Sequence, residues 1–115
     1  PVLSLFRPAH GAIQLAFSLK EKRYGVLIQT QENENVTAVL AGTVVHVNYE
    51  IDNTYTIMVQ HANYLSVYKN MTKTLKAVGD KVQAGETLAI MGELPLWFEL
   101  WQDGQPVNPE EVIAF

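Results

Sequence analysis

The sequence contains no cysteine and only three histidines, which narrows the chemistry open to the chain. Without cysteine there can be no disulfide, no thiol nucleophile and no thiolate metal ligand. No run of eighteen apolar residues is present, so we expect no membrane span. The net charge of −4, with no basic cluster, argues against a nucleic-acid partner.

The length of 115 residues predicts one domain with a single core, spanning 1–115. The hydrophobic share of 48% and the charged share of 17% are typical of a globular protein and exclude a disordered one. Because the chain begins at Pro1 rather than at a methionine, we interpret it as a fragment of a longer protein.

Short apolar stretches separated by turn residues recur along the whole chain. The clearest are 25–29, 55–61 and 87–91. No helical periodicity of useful length appears, except for one turn at 108–113, where Pro109 suits a first helical position. This pattern predicts an all-β fold, a sandwich or barrel with little or no helix.

The stretch 94–101 has the alternation of a strand, in which every second side chain shares a face. One set is apolar and is predicted to face the core: Leu94, Leu96, Phe98 and Leu100. The other set carries two large aromatic rings and a carboxylate: Pro95, Trp97, Glu99 and Trp101. This second face either meets another layer or lines a groove. The Asp103-Gly104 pair that follows predicts a hairpin turn.

Six segments in order resemble the LytM, or lysostaphin-type, zinc endopeptidase domain of peptidoglycan metabolism. Segment 23–27 is similar to its His-x-Gly-x-Asp metal segment, and 94–100 to its His-x-His-Phe-Glu strand. The other four segments are 38–45, 68–71, 79–86 and 107–109. The resemblance implies an all-β sandwich of the duplicated-hybrid-motif type with short loops.

The resemblance places the three metal-ligand positions of such an enzyme at Arg23, Leu27 and Trp97. Arginine and the indole nitrogen only donate hydrogen bonds, and leucine has no polar atom, so none of them can coordinate zinc. The two further histidine positions of the family correspond to Asn70 and Pro95, neither of which can move a proton near neutral pH. We therefore expect no metal, no cofactor and no zinc hydrolysis.

The remaining polar candidates do not rebuild a catalytic site elsewhere. His10, His46 and His61 are not spaced as ligands on one element, and we interpret each as a surface or hydrogen-bonded structural histidine. Asp80 lies in a glycine-flanked turn and is predicted to shape that turn rather than to act as an acid catalyst.

The loss of the metal ligands is similar to that in the EnvC-type murein hydrolase activators, a branch of the family. The resemblance implies a non-catalytic protein that binds and switches on a peptidoglycan N-acetylmuramoyl-L-alanine amidase during cell division and daughter-cell separation. It also implies a periplasmic location in the cell envelope of a Gram-negative bacterium, and a coiled coil upstream of this domain.

An aromatic floor with a polar rim is the anatomy of a protein-binding hot spot, and such a groove can accept an amphipathic helix. The expected occupant is a regulatory helix of the amidase. The same aromatic residues could instead plug the vacated metal cavity, and both interpretations stay open. The residues expected to line the groove are Arg23, Tyr24, Leu27, Tyr68, Asn70, Trp97 and Trp101.

Three other functions compete with this one. A catalytically dead peptidoglycan-binding module would keep the substrate cleft without the chemistry. A barrel-sandwich carrier is suggested because 79–85 resembles the turn of lipoyl and biotinyl domains, but no lysine follows Lys81 to carry the group. A working enzyme with an unrecognised site is opposed by the absent ligands.

Overall fold

The computed structural model describes residues 5–115, and their all-β architecture confirms the predicted fold class. Residues 1–4 of the predicted domain, 1–115, lie outside this range. No helix within residues 5–115 is long and apolar enough to cross a membrane. The strands are β1 (Ala12–Leu15), β2 (Val26–Gln29), β3 (Asn35–Thr37), β4 (Gly42–Tyr49), β5 (Tyr55–His61), β6 (Tyr64–Thr74), β7 (Lys81–Val82), β8 (Thr87–Met91), β9 (Leu96–Gln102) and β10 (Gln105–Val107).

The strands pair antiparallel in the order β1-β2-β9-β6-β5-β4-β7, with β10 added to β9. The long strand β6 belongs to two parts of the sheet. Its first half, Tyr64–Lys69, pairs with β9, and its second half, from Met71 to Thr74, pairs with β8, which in turn holds β3. Side chains from both parts contribute to one hydrophobic core.

One row of side chains shows how the two faces of the sheet divide. Four fully buried residues lie opposite one another on β5, β6, β9 and β2: Ile57, Tyr68, Phe98 and Val26. Their chain neighbours form the matching row on the outer face: Lys69, Trp97 and Leu27. Successive strand residues alternate between the two faces of the sheet. The register of the strands therefore determines both which side chains enter the core and which lie on the outer surface.

The alternation predicted along 94–101 is confirmed for three of its four core positions. Leu96, Phe98 and Leu100 are fully buried. The prediction that Leu94 faces the core was wrong, since β9 begins at Leu96 and the Leu94 side chain is 46% exposed. Pro95 lacks a backbone N–H for the ladder, so the strand starts only after it.

The C-terminal turn signals are confirmed. Gln102 and Gln105 face each other across a two-residue turn in which Asp103 and Gly104 have φ values of 50° and 78°. These are the left-handed conformations that an Asp-Gly hairpin turn favours. A 3₁₀ turn then spans Pro109–Glu111, with Pro109 in its first turn.

Candidate functional site

Strands distant in sequence bring together two of the three positions that the resemblance assigns to metal ligands. Leu27 of β2 lies directly opposite Trp97 of β9, and Lys69 of β6 flanks Trp97 on the other side. Cross-strand partners share a face, so these three side chains form one row outside the core. We use the term tryptophan face for the surface composed of Tyr24, Leu27, Lys69, Trp97, Glu99 and Trp101.

Glu99 fixes the orientation of both tryptophans. The Trp97 indole N–H donates to Glu99 Oε2 at 2.6 Å, and the Trp101 indole N–H donates to Glu99 Oε1 at 2.8 Å. Residues at i, i+2 and i+4 of a strand lie on one face, so a Trp-x-Glu-x-Trp sequence allows a central carboxylate to serve both neighbours. Indole can only donate, and the carboxylate can only accept, so the three side chains satisfy one another.

Gly25 leaves room for the indole ring of Trp97. A Cβ at Gly25 would lie 2.7 Å from Trp97 Cζ2 and 2.6 Å from the Phe98 carbonyl oxygen, too close for either contact. The indole therefore approaches the backbone of β2 at a point where only glycine leaves room. Trp97 is half-buried, so part of its side chain stays at the surface.

Tyr24 and Trp101 continue the aromatic surface. Their ring centroids are 6.4 Å apart with a tilt of 56°, a favourable aromatic arrangement, and Tyr24 is 38% exposed. Trp101 also forms a wall of an open depression of about 360 Å³ beside the β5–β6 and β9–β10 turns. The other residues lining it are Gln60, Asn63, Leu65, Asp103 and Gly104.

Arg23 is tied to the connection between β1 and β2. Its Nε donates to the Ala16 carbonyl oxygen at 2.6 Å, and its backbone exchanges hydrogen bonds with Ser18. The side chain thus closes the loop that leads into β2.

Asn70 lies where β6 changes partners. Its φ of 81° is in the left-handed region, which asparagine tolerates better than most residues, and its Nδ2 donates to the Pro95 carbonyl oxygen at 3.0 Å. Asn70 is half-buried, at the end of β9 that leads into Trp97. Its amide therefore supports the start of β9.

The prediction that Tyr68 lines the groove was wrong. Tyr68 is fully buried on the core face, where its ring packs against Phe98 at a centroid distance of 5.3 Å. The register places it one residue out of phase with the tryptophan face, because its neighbour Lys69 pairs with Trp97. Burial raises the pKa of Tyr68 to about 12.

The Tyr68 hydroxyl belongs to a buried polar chain that confirms His61 as a hydrogen-bonded structural histidine. The Val39 N–H donates to the Tyr68 hydroxyl, which lies 2.8 Å from the Ser66 hydroxyl. His61 Nε2 lies 2.6 Å from Ser66 Oγ, and His61 Nδ1 lies 2.9 Å from the Ala41 carbonyl oxygen. A carbonyl only accepts, so Nδ1 carries the proton, and a neutral ring then accepts from Ser66. Burial lowers the pKa of His61 and favours this neutral form.

The other two histidines lie apart from the tryptophan face. His10 Nδ1 contacts Glu34 Oε2 at 3.0 Å on an exposed surface, and His46 is exposed on β4. Nowhere in residues 5–115 do three or more histidine, cysteine or acidic side chains lie close enough to hold a metal ion. The donor set at the former ligand positions does not fit zinc either, because Leu27 and Trp97 offer no lone pair to a cation.

A comparison with protein families identifies the relationship behind this geometry. The model described as Peptidase family M23 matches residues 21–109. The chain belongs to this family. The resemblance to the LytM domain, drawn above from six short segments, is confirmed.

Individual M23 relatives support the same fold. Murein hydrolase activator EnvC of Escherichia coli (strain K12) is 29% identical over 93 residues, covering 75% of this chain and 22% of EnvC. Csd3 of Helicobacter pylori superposes with a TM-score of 0.88 at 20% identity, over 99% of this chain and 34% of that one. A zinc-containing peptidase from Vibrio cholerae gives a TM-score of 0.81 at 21% identity, over 93% and 39% of the two chains. The chain therefore spans only part of each of these relatives.

The predicted groove residues thus separate into groups. Tyr24, Leu27, Trp97 and Trp101 share one surface, whereas Tyr68 lies in the core. Arg23 and Asn70 are partly exposed but bond to backbone carbonyls beside that surface. Glu99, expected only as part of the polar rim, holds both indoles, and the Trp-x-Glu-x-Trp alternation offered the signal for this role.

Proposed function

We propose that this domain is a non-catalytic murein hydrolase activator that binds and switches on a peptidoglycan N-acetylmuramoyl-L-alanine amidase. Its site of action is the periplasm of a Gram-negative bacterium, during daughter-cell separation. The identity to EnvC of Escherichia coli and membership of the M23 family support this proposal.

The observation that carries the proposal is the direct pairing of Leu27 with Trp97. The resemblance to the zinc enzymes assigns both positions to metal ligands. An aliphatic and an aromatic side chain there replace a hydrated polar cleft by an apolar surface that would gain from being covered. A surface of this kind can bind a partner, whereas hydrolysis by zinc would need lone pairs that it does not have.

The tryptophan face has the chemistry of a groove for an amphipathic helix. Leu27, Trp97 and Trp101 supply apolar area, and Lys69 and Glu99 supply charges of both signs beside it. If the bound helix is one that otherwise blocks the amidase, binding shifts the amidase towards its open state. The shift is limited to the difference in affinity for the free and the blocking helix.

An activation assay with purified components tests this function. The domain is titrated into each purified amidase of the source bacterium, and release of soluble material from dye-labelled murein is measured. We expect stimulation that saturates with domain concentration and no release by the domain alone. Stoichiometric zinc in the purified domain, together with murein cleavage in the absence of any amidase, would contradict the proposal.

A second candidate, a peptidoglycan-binding module, is favoured by the depression beside Trp101. An aromatic wall with the polar side chains of Asn63 and Asp103 suits contacts to a sugar or a peptide. Sedimentation of the domain with insoluble murein separates the two candidates. Co-sedimentation without any effect on an amidase supports this second function, and amidase stimulation without co-sedimentation supports the first.

A further inference from the structure

The Glu99 carboxylate carries an unusual set of partners. Both of its oxygens accept an indole N–H, from Trp97 and from Trp101. Neutral donors hold the carboxylate in place but bring no positive charge. Within residues 5–115, no basic side chain forms an ion pair with Glu99.

The nearest cation on the tryptophan face, that of Lys69, interacts with a different acid. Lys69 lies opposite Thr56 of β5, and Thr56 donates to Glu50 Oε2 at 2.7 Å. Hydrogen bonds from Thr56 and Asn48, together with the charge of Lys69, lower the pKa of Glu50. The Lys69 charge thus contributes to an acid on the β5 side, and within residues 5–115 Lys69 forms no ion pair with Glu99.

The geometry of Glu99 leaves it able to bind a cation. A carboxylate has about four lone-pair positions, and the two indoles occupy one on each oxygen, so each oxygen can accept a second hydrogen bond. Glu99 is half-buried between two large rings, where a charge-assisted hydrogen bond is less weakened by water than at an open surface. Its orientation is fixed in advance, so binding a cation costs little side-chain entropy.

We propose that the partner segment on the tryptophan face presents a lysine or arginine side chain to the Glu99 carboxylate. This inference rests on the proposed function, since it names the chemistry of the helix that the domain binds. Apolar residues of the helix cover Leu27 and Trp97, and its cationic residue reaches the carboxylate between the two indoles. The amidase helix accordingly carries a basic residue within its apolar stripe.

Matched synthetic peptides test the inference directly. Three fluorescein-labelled amphipathic helical peptides share the same apolar positions and differ only at one central position within the apolar stripe, which is lysine, glutamine or glutamate. Their affinities for the domain are measured by fluorescence anisotropy at low and at high salt. We expect the lysine peptide to bind about tenfold more tightly than the glutamine peptide at low salt, with the advantage reduced at high salt.

Two charge variants give the test and its control. The E99Q variant should lose the preference for lysine, leaving less than about a twofold difference between the lysine and glutamine peptides. The E32Q variant, at an exposed acid outside the tryptophan face, should keep it. An amide can accept from only one of the two indoles, so the fold of E99Q is checked by circular dichroism. The salt dependence of the wild-type domain provides a measurement that needs no variant.

The outcomes separate this inference from the proposed function. Equal binding of the three peptides, a preference for glutamate, or no binding of any peptide would overturn the assignment of a cationic anchor. Amidase stimulation in the same preparations would then still support the activator function. Conversely, a lysine preference that depends on Glu99, without stimulation of any amidase, supports the anchor and contradicts the activator function.

Discussion

At the scale of single residues, the site depends on side chains that restrain one another. Glu99 accepts from two indoles on its own strand, and Gly25 lets one of these rings approach the backbone of the next strand. A ring held at both its N–H and its face loses few rotamers on binding. Such preorganised aromatic side chains are the residues that dominate protein interfaces.

Trp101 gives a test of the tryptophan face. We expect W101A to raise the domain concentration needed for half-maximal amidase stimulation at least tenfold, because an aromatic anchor in an interface contributes about 2 kcal/mol or more. W101F keeps a ring but removes the N–H that donates to Glu99, and its effect should be smaller. Full stimulation by a folded W101A variant at the wild-type concentration would show that this face does not bind the amidase.

Gly25 gives a test of the contact beneath Trp97. We expect G25A to lower the free energy of unfolding by about 1–3 kcal/mol, since the added methyl group overlaps the Phe98 carbonyl and the indole. Tryptophan emission should shift as well. The matched variant is G79A. A Cβ added at Gly79 has no atom within 4 Å, but the φ of this residue is +96°. It should lose some stability through backbone strain without changing the emission. Urea unfolding followed by fluorescence measures both quantities, and an unchanged G25A would disprove the close contact.

At the scale of elements, β6 is the strand that joins the two parts of the sheet. It changes partner from β9 to β8 around Asn70, whose left-handed backbone and side-chain bond to Pro95 stand at the point of change. The Asn70 amide therefore holds the residue that immediately precedes β9. Because β9 carries both tryptophans, a local backbone conformation on β6 positions the site.

Two substitutions at Asn70 separate the backbone effect from the hydrogen bond. N70A should lose about 2 kcal/mol of stability, because it removes the bond to Pro95 and because alanine tolerates the left-handed conformation less well than asparagine does. N70G removes the same bond but relieves the strain, so it should lose only about 1 kcal/mol. Denaturant unfolding of both variants provides the measurement. Equal stability of the two variants would mean that φ at this position contributes nothing.

At the scale of the whole molecule, a buried polar chain links β5, β6 and the segment that leads into β4. It runs from the Val39 N–H through the hydroxyls of Tyr68 and Ser66 to His61 and the Ala41 carbonyl. When His61 is neutral, every N–H and O–H group in this chain has an acceptor. Protonation of His61 would add a donor at Nε2 and reverse the two hydroxyls, leaving the Tyr68 proton facing the Val39 N–H without an acceptor.

The buried hydrogen-bonded chain that includes His61 predicts that the stability of the protein depends on pH. The pKa of His61 is lowered from 6.5 in the folded protein, so the unfolded state takes up a proton first as pH falls. Stability is therefore complete above pH 6.5 and declines as pH falls from there towards the folded pKa, by at most about 1.4 kcal/mol per pH unit for one proton.

Thermal unfolding of wild type and H61Q at pH about 7.5 and about 5.5 measures this effect. The variant should lose much of the difference between the two conditions. Carboxyls with a lowered pKa, such as Glu86 beside Lys76, lose their contribution only at more acidic pH and do not interfere. An identical pH response of H61Q and wild type would exclude His61 as the source.

The sequence by itself determined the fold class, the C-terminal turns and the donor atoms available at the positions that the resemblance assigns to metal ligands. These depend on local properties: the period of two along 94–101, the φ preferences of Asp103 and Gly104, and the donor atoms of each residue type, which are the same wherever the residue lies. Residue identity alone therefore told us that Leu27 and Trp97 cannot hold a metal ion.

Only the tertiary structure decided which side chains share the site. The alternation of side chains along a strand predicts that Tyr68 and Lys69 point to opposite faces, but it does not say which of them enters the core. The pairing of β6 with β9 places Lys69 beside Trp97 and Tyr68 in the core. The start of β9 at Leu96 and the bend at Asn70 likewise depend on partners distant in sequence. Cross-strand register is set by long-range packing, which no local pattern contains.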